Sequence, residues 1–486
     1  MIEPFEWPAV DQFIGRTAEL EHLQNWWDTP SPHAQGLNLF GRRRVGKSWL
    51  FRRFAHGKPA VLLVAQETTP AKQMVKLAEQ LSPYVGVTPA IGDLGDLFQI
   101  LFGLAQSEQA LVVIDEFPYL LGSSSREQSR SLSTIQASIE QHRDRSRLKL
   151  MLCGSAVTQM ENLQSTKSPL HGRFDAFELR PMPFAEAKHF FEGDDTLDSY
   201  NRFSIAGGIP KYLRALSRRG LETAIATSIV DANSPLFNEP LSVLRAELRE
   251  PSVYLAILEA LAQRPADLGK ISALAGLPSK ELSPYLNSLK AMRLVRDRLP
   301  IGAKSGARTT QWECADHFMR FWFRFVGPYR SDLESGAIAT QHVHHHVMPK
   351  LAEHVSIVFE DDMRRWLRQQ YPEAGKVGAW WGNALNAERR AGRRETEEID
   401  AVGLSGRVVK VAGEAKWMNK PASKDVLDDL RIYKLPAISQ AKLDVPEDHR
   451  LVIASRGGFT MGLQTEAESA PNVKLIDAKA MLETLQ

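Results

Sequence analysis

Gly41-Arg-Arg-Arg-Val-Gly46-Lys47-Ser48 sets glycine, lysine and a hydroxyl at the spacing G-x-x-x-x-G-K-[ST]. Two glycines let the backbone curl until its N–H groups turn inward, and the start of a following helix adds partial positive charge. Such a loop cradles phosphates. The lysine of this pattern reaches the β- and γ-phosphates of a nucleoside triphosphate, and the hydroxyl ligates Mg²⁺. Candidate ATP contacts are therefore Gly41, Arg44, Val45, Gly46, Lys47, Ser48 and Trp49. A second stretch answers the first. Ala110-Leu-Val-Val-Ile114-Asp115-Glu116 is an apolar run ending in two acids, the Walker B pattern. It presents Asp115 to Mg²⁺, directly or through water, and places Glu116 to orient or deprotonate the attacking water.

Three weaker signals surround this pair. Leu148 to Ser155 reads as a buried strand whose last residue, Ser155, is placed to sense the γ-phosphate; serine at a strand end is also a common turn former. Arg173 is a candidate arginine finger, in cis or in trans, with an ordinary loop arginine as the competing reading. Phe13-Ile14-Gly15-Arg16 precedes a helix carrying Leu23, Trp26 and Trp27. An apolar residue and a glycine turn just before the phosphate strand suit an adenine wall, with Gly15 and Arg16 as contacts; the alternative is a helix start packing its hydrophobic staple.

A second chemistry lies in Asp400 and Glu414-Ala-Lys416. Residues i and i+2 of a strand share a face, so Glu414 and Lys416 point the same way. The interval from Asp400 allows it to lie on the neighbouring strand of a twisted hairpin. Two adjacent carboxylates bind Mg²⁺ through oxygen. A cation held there polarises a scissile phosphate and lowers the pKa of bound water, while Lys416 positions that water or stabilises developing charge. Glu360, on a preceding helix, would add a third acid. The metal-ligand candidates are thus Ser48 and Asp115 at one site and Glu360, Asp400 and Glu414 at the other. A strand hairpin with a surface ion pair is the competing reading.

The elements that must position these groups follow from patterning. Pro59–Ala65 is apolar without alternation, as buried parallel strands require, and Gly36–Phe40, Ala110–Ile114 and Leu148–Ser155 read as further buried strands. With the intervening helices they predict a doubly wound α/β sheet. From Phe184 the chain turns helical, and Gly207-Gly208-Ile209-Pro210 interrupts it as the hinge of a helical lid. Three short helices (252–262, 268–275, 279–289) and two strands (294–300, 309–314) predict a winged helix. Lys290, Arg293, Arg296, Arg298, Lys304 and Arg308 form its candidate phosphate-contacting face; a winged helix that contacts protein is the alternative. Asp316 to Val326 is strongly aromatic and reads as an interdomain core. His342, His344, His345 and His346 point in different directions on a helix and read as surface residues. A helix from about 349 to 369, strands at 376–381, 398–402, 408–417 and 450–455, and a helix at 424–430 complete the chain. The expected boundaries are 1–183 for the ATPase core, 184–245 for the lid, 246–340 for the winged helix with its aromatic connector, and 341–486 for the last domain.

At 486 residues the chain exceeds a single core, so roughly three domains are expected. Apolar content of 43% and charged content of 24% are ordinary for a soluble globular protein. A net charge of +2 leaves the partner open. Cys153 and Cys314, far apart, argue against a disulfide framework and suit a reducing cytoplasm. No signal peptide is apparent, and no apolar run approaches the ~20 residues of a membrane span.

The box Phe13, Gly15, Arg16, Glu19, Leu20, the Walker pair, the Gly154-Ser155 strand end, Gly172-Arg173 and Gly207-Gly-Ile-Pro-Lys-Tyr-Leu213 occur in one order. Together they resemble the archaeal-type ATPases of the STAND group within the AAA+-like P-loop proteins. That resemblance implies a sensor-like contact coupling nucleotide to the lid, carried here onto Gly208 and Pro210. The Asp400, Glu414, Lys416 set resembles the PD-(D/E)XK restriction-like nucleases, with Ile399-Asp400 where that family has Pro-Asp. Gly378-Ala-Trp380-Trp381 after a Glu-bearing helix resembles the C-terminal domain that often follows such ATPases. The implied function is an ATPase that controls a Mg²⁺-dependent nuclease, in genome defence or mobile-element biology. DNA is expected ahead of RNA as partner, with a homo-oligomer and a regulatory protein also compatible. The alternative is an ATP-switched DNA-binding regulator or scaffold whose nuclease-like domain does not cut.

Overall fold

The computed structural model describes residues 2–217, 220–248, 250–304 and 309–485. Arg308 of the expected basic face lies outside the described residues. The chain forms two compact units, Met1–Met182 with Ile209–Lys211, and Pro183–Gly208 with Tyr212–Gln486. Apart from 209–211, the segments read as lid, winged helix and C-terminal domain all fall in the second unit.

The first unit is built on β1 (Gln35–Phe40), β2 (Ala60–Val64), β3 (Ala110–Asp115), β4 (Leu148–Gly154) and β5 (Phe174–Glu178). All pairings are parallel, in the order β2-β3-β4-β1-β5. Helices α1 (Thr17–Asp28), α2 (Lys47–Ala55), α3 (Pro70–Val85), α4 (Leu94–Gly103) and α5 (Ser125–His142) alternate with them. One core packs Met74, Leu77 and Leu81 of α3, Leu97 and Phe98 of α4, and Ile135 and Ile139 of α5 against β2, β3 and β4. Polar Lys149 survives inside buried β4 because its Nζ donates to the carbonyls of Trp26 at 2.7 Å and Thr29 at 3.0 Å. A capping box, Ser124 with Glu127, starts α5. In a parallel sheet all strands end at one edge, so β1, β3 and β4 deliver their last residues to a common crevice.

In the second unit, helices Pro251–Leu261, Leu268–Ala275 and Leu282–Ala291 precede an antiparallel pair, β6 (Val295–Arg298) and β7 (Gln311–Cys314). Three cations of the expected phosphate-contacting face have carboxylate partners here. The Arg296 guanidinium bonds Glu313 and Asp361. Arg298 donates to Glu313 at 3.2 Å and lies over the Trp381 ring. Lys290 pairs with Asp297 at 2.5 Å. These cations meet carboxylates within the unit, because a partly buried charge is stable only when paired.

The aromatic helix His317–Phe325 is buried all round, Arg320 and Arg324 included. It packs on the helices Thr196–Ala206 and Pro251–Leu261. His342, expected at the surface, is buried, and its Nε2 lies 2.7 Å from the Phe325 carbonyl. A π-turn over Val343–Val347 follows it directly. His344, His345 and His346 are exposed.

The C-terminal sheet contains β8 (Lys376–Asn383), β9 (Thr396–Ser405), β10 (Val408–Lys416), β11 (Arg450–Ser455) and β12 (Val473–Asp477), in the order β12-β11-β10-β9-β8. The β8–β9–β10 pairings are antiparallel and the β10–β11–β12 pairings parallel. The helix Met348–Gln370 crosses one face so closely that a Cβ at Gly413 would sit 2.5 Å from Met363 Cε. A second core gathers Val402, Ala412 and Ile453 with Leu427, Leu430, Leu435 and Ile438. Among the described residues no helix is long and apolar enough to cross a membrane.

Candidate functional site

The loop between β1 and α2 is held in a conformation that only part of its sequence tolerates easily. A Cβ at Gly41 would lie 2.3 Å from the Leu179 carbonyl oxygen, so no side chain fits there. Gly46 has φ +103 and its missing Cβ would touch Pro210 Cγ at 3.4 Å. Arg16, Arg44 and Glu116 adopt positive φ, three of the five non-glycine residues that do so among the described residues. Such strain collects where the surrounding structure over-determines a functional backbone.

Lys47 Nζ donates to the carbonyls of Gly41 at 2.8 Å and Arg42 at 3.0 Å, inside the loop's own curl. Burial lowers its pKa; Cys153, Glu116 and Asp115 oppose that, and Arg43 adds to it. Ser48 Oγ, in the first turn of α2, donates to Asp115 Oδ2 at the end of β3 at 3.0 Å. Ser155 Oγ lies 3.1 and 3.0 Å from the two Glu116 oxygens. The structure therefore brings together Lys47, Ser48, Asp115, Glu116 and Ser155 at one strand edge. Ser48 and Asp115 are hard oxygen donors within one hydrogen bond of each other, a set that suits Mg²⁺.

Upstream, Arg16 is buried and its Nη2 donates to the Val45 carbonyl at 3.1 Å, while Nη1 reaches Glu19 at 2.5 Å. Gly15 supplies the φ +68 turn before it. Trp49 stands half exposed, edge-on to Trp7 at 5.0 Å, and Trp7 in turn meets Phe13 at 6.3 Å. Trp7 carried no motif and was missed. Pro210 sits against Gly46 within the first unit, whereas Gly208 belongs to the second.

Arg173 is not brought to this edge. It precedes β5 and pairs with Glu140, near the end of α5, at 2.6 Å. The register Gly36↔Phe174 puts it beside Gln35 at the start of β1, the whole length of the strand away from Gly41, about 20 Å at ~3.3 Å per residue. The expectation of a finger in cis is corrected by that placement.

In the second unit β9 and β10 carry Asp400 and Glu414 to adjacent positions. The Ala415 amide donates to Asp400 Oδ2 at 2.9 Å. Lys416 Nζ lies 2.7 Å from Glu414 Oε2 and 3.7 Å from Asp400 Oδ2. Lys434 Nζ takes the other oxygen, Glu414 Oε1, at 2.7 Å. Lys434 was missed; it follows Lys416 by a full turn-and-helix excursion, and no local spacing ties the two. Burial and Asp400 push the Glu414 carboxyl up to about 7, against the pull of Lys416 and Lys434. Burial and Asp400 raise Glu360 well above its usual range, Arg364 opposing. Burial would lower Lys416, but Glu414 and Asp400 outweigh it and raise it. Asp400 and Glu414 have the donor chemistry of a hard-cation pair. Glu360 does not complete a ligand set with them: among the described residues no group of three or more His, Cys, Asp or Glu side chains is arranged to hold a metal ion.

Comparison with known proteins bears on both units. Residues 34–188 match the AAA domain family. Residues 34–188 form a P-loop ATPase domain. This ATPase domain contains the loop, Asp115, Glu116, Ser155 and Arg173. Residues 322–426 match DUF234, described as archaea bacterial proteins of unknown function. An uncharacterized protein of Methanocaldococcus jannaschii, MJECL04, is 26% identical over 83% of this chain and 87% of its own length. The Walker-type ATPase paby2304 of Pyrococcus abyssi superposes with TM-score 0.50 at 21% identity, over 65% of this chain and 97% of that one. This likeness is one of fold. The ORC2 protein of Aeropyrum pernix superposes at TM-score 0.44 and 14% identity, over 68% of this chain and 96% of that one.

Proposed function

We propose that this chain hydrolyses ATP in its first unit and uses nucleotide state to control a nucleic-acid-cleaving site in its second. The observation that carries the ATPase reading is the convergence of Lys47, Ser48, Asp115 and Glu116 at one edge of the parallel sheet. Lys47 exchanges the Gly41 and Arg42 carbonyls for phosphate oxygens. Ser48 and Asp115 would hold Mg²⁺, which supplies charge neutralisation at the β- and γ-phosphates. Glu116, its carboxylate fixed by the Ser155 hydroxyl, takes the proton of the attacking water. Arg173 can contribute only in trans, from a neighbouring copy. ATP turnover by purified protein, lost in Lys47→Ala, is the test; undiminished ATP affinity in that variant would remove the phosphate assignment.

The cleavage reading rests on Asp400, Glu414 and Lys416 meeting on neighbouring strands. Asp400 and Glu414 would bind Mg²⁺, which lowers the pKa of a bound water. Lys416 would then offset charge on the attacked phosphate. We read the mixed β8–β12 sheet, with the helix Met348–Gln370 on one face, as a restriction-like nuclease domain, and the three helices with β6 and β7 as a winged helix. DNA is the proposed substrate. A second reading, a grip on DNA without cutting, is favoured by one observation: both Glu414 oxygens already hold lysine ammonium groups. Mg²⁺- or Mn²⁺-dependent nicking of plasmid, with and without ATP, separates the two. Salt-sensitive binding with no nicking in any nucleotide state selects the second.

A further inference from the structure

A chain of charged groups runs from the β6–β7 pair to the backbone of Asp400. Arg296, on β6, is half exposed, and its guanidinium bonds both Glu313 of β7 and Asp361 of the helix Met348–Gln370. Asp361 also accepts from Arg364, one turn further along that helix. Arg364 Nη1 then donates to the Asp400 carbonyl at 2.5 Å. Asp400, thus held by its backbone, turns its carboxylate to the Ala415 amide at 2.9 Å. Arg364 and Asp361 have little exposed side-chain surface, 8% and 22%. Charge-assisted bonds in such surroundings are short and directional. Arg296, Asp361 and Arg364 therefore connect a surface hairpin to the backbone carbonyl of Asp400 without a gap.

We propose that Arg296, through Asp361 and Arg364, is a positioning residue for Asp400, so that the β6–β7 hairpin sets the geometry of the acid–lysine cluster. The proposal deepens the cleavage reading and rests on it for its functional meaning. It also gives Arg296 a task that phosphate contact does not explain. Removing Arg296 leaves Asp361 with Arg364 alone, and Arg364 is then free to turn from the Asp400 carbonyl toward the vacated carboxylate oxygen. The carboxylate of Asp400 loses its fixed aim at the Ala415 amide. Outer groups that orient a metal ligand typically matter by about 10- to 100-fold in metal affinity. Arg298 shares Glu313 but lies over Trp381, so it anchors the hairpin without touching this chain of contacts.

The test uses the full-length protein with Arg296→Met, Arg296→Lys and Asp361→Asn. Hydrogen exchange at the Ala415 amide reads the placement of the Asp400 carboxylate with no metal or substrate present. Arg296→Met should speed that exchange by about tenfold and leave the Ile453 amide of β11 unchanged. Arg296→Lys, which keeps a cation in reach of Asp361, should restore most of the protection. Manganese binding by calorimetry should weaken by about tenfold in Arg296→Met and Asp361→Asn. In a nicking assay the manganese concentration for half-maximal rate should rise while the rate at saturating manganese changes little. ATP turnover serves as the folding control and should match the wild type. Unaltered Ala415 exchange in Arg296→Met overturns the positioning role, whatever the metal data show. Exchange that rises equally at Ala415 and Ile453 also overturns it, because the effect is then general loosening. A wild type that neither binds manganese nor nicks DNA removes the cleavage reading, and the exchange result then decides the coupling by itself.

Discussion

Glu116 reaches its place through an unusual backbone. Its φ of +51 turns the chain sharply after β3, and the Ser155 hydroxyl fixes the carboxylate from the next strand. Glu116→Gln should keep ATP binding and lower turnover by about 10²- to 10⁴-fold, the usual range for a positioned general base. Ser155→Ala should bind ATP normally and turn over more slowly than wild type but faster than Glu116→Gln. Equal rates in Ser155→Ala and wild type would show that the hydroxyl does not hold the base. In the second unit, Asp400→Ala and Lys416→Ala should each abolish metal-dependent nicking and leave ATP turnover at the wild-type rate. These residues were legible in the sequence because each belongs to a short motif, and a motif keeps its members within one strand end or one loop. Lys434 and Asp361 were not legible. Their partners lie on other elements, and only the packing of sheet against helix brings them within bonding distance.

At the scale of elements, the helix His317–Phe325 is where burial dominates. Phe321 is fully buried in it, so Phe321→Ala should cost about 3–5 kcal/mol in denaturant unfolding of the second unit. The helix Met348–Gln370 carries a different signature. Burial raises the Asp362 carboxyl to about 6, against the pull of Arg365 and of the Tyr200 hydroxyl that donates at 2.8 Å. The folded form therefore holds this proton at pH values where the unfolded chain has released it. Stability contributed by that proton is full below pH ~4 and fades as pH rises through about 6. Asp362→Asn should flatten that part of the pH–stability curve, by on the order of 3 kcal/mol. Patterning revealed β1, β3, β4 and β11 because long apolar runs have few alternatives. It missed α5, whose eighteen residues bury only Ile135, Ser138 and Ile139, and β5 and β12, which are short and have few buried positions. It did not reveal the ion pairs of the basic hairpin, since sequence shows where cations are but not which carboxylates will face them.

At the scale of the whole molecule, the polypeptide does not keep its two units in two consecutive blocks. Ile209, Pro210 and Lys211 belong with the first unit although both of their flanks belong to the second. Pro210 closes on Gly46 of the phosphate loop at 3.4 Å from where a Cβ would stand. A shortened gene ending at codon 182 would therefore encode every strand of the ATPase sheet and still lack one wall of its glycine loop. Such a fragment should bind ATP more weakly than the intact chain in equilibrium titration, and supplying a second fragment from 183 onward should restore the difference. Any dissection of this protein into separately expressed halves starts from that interleaving, because no single cut hands each half all of its own residues.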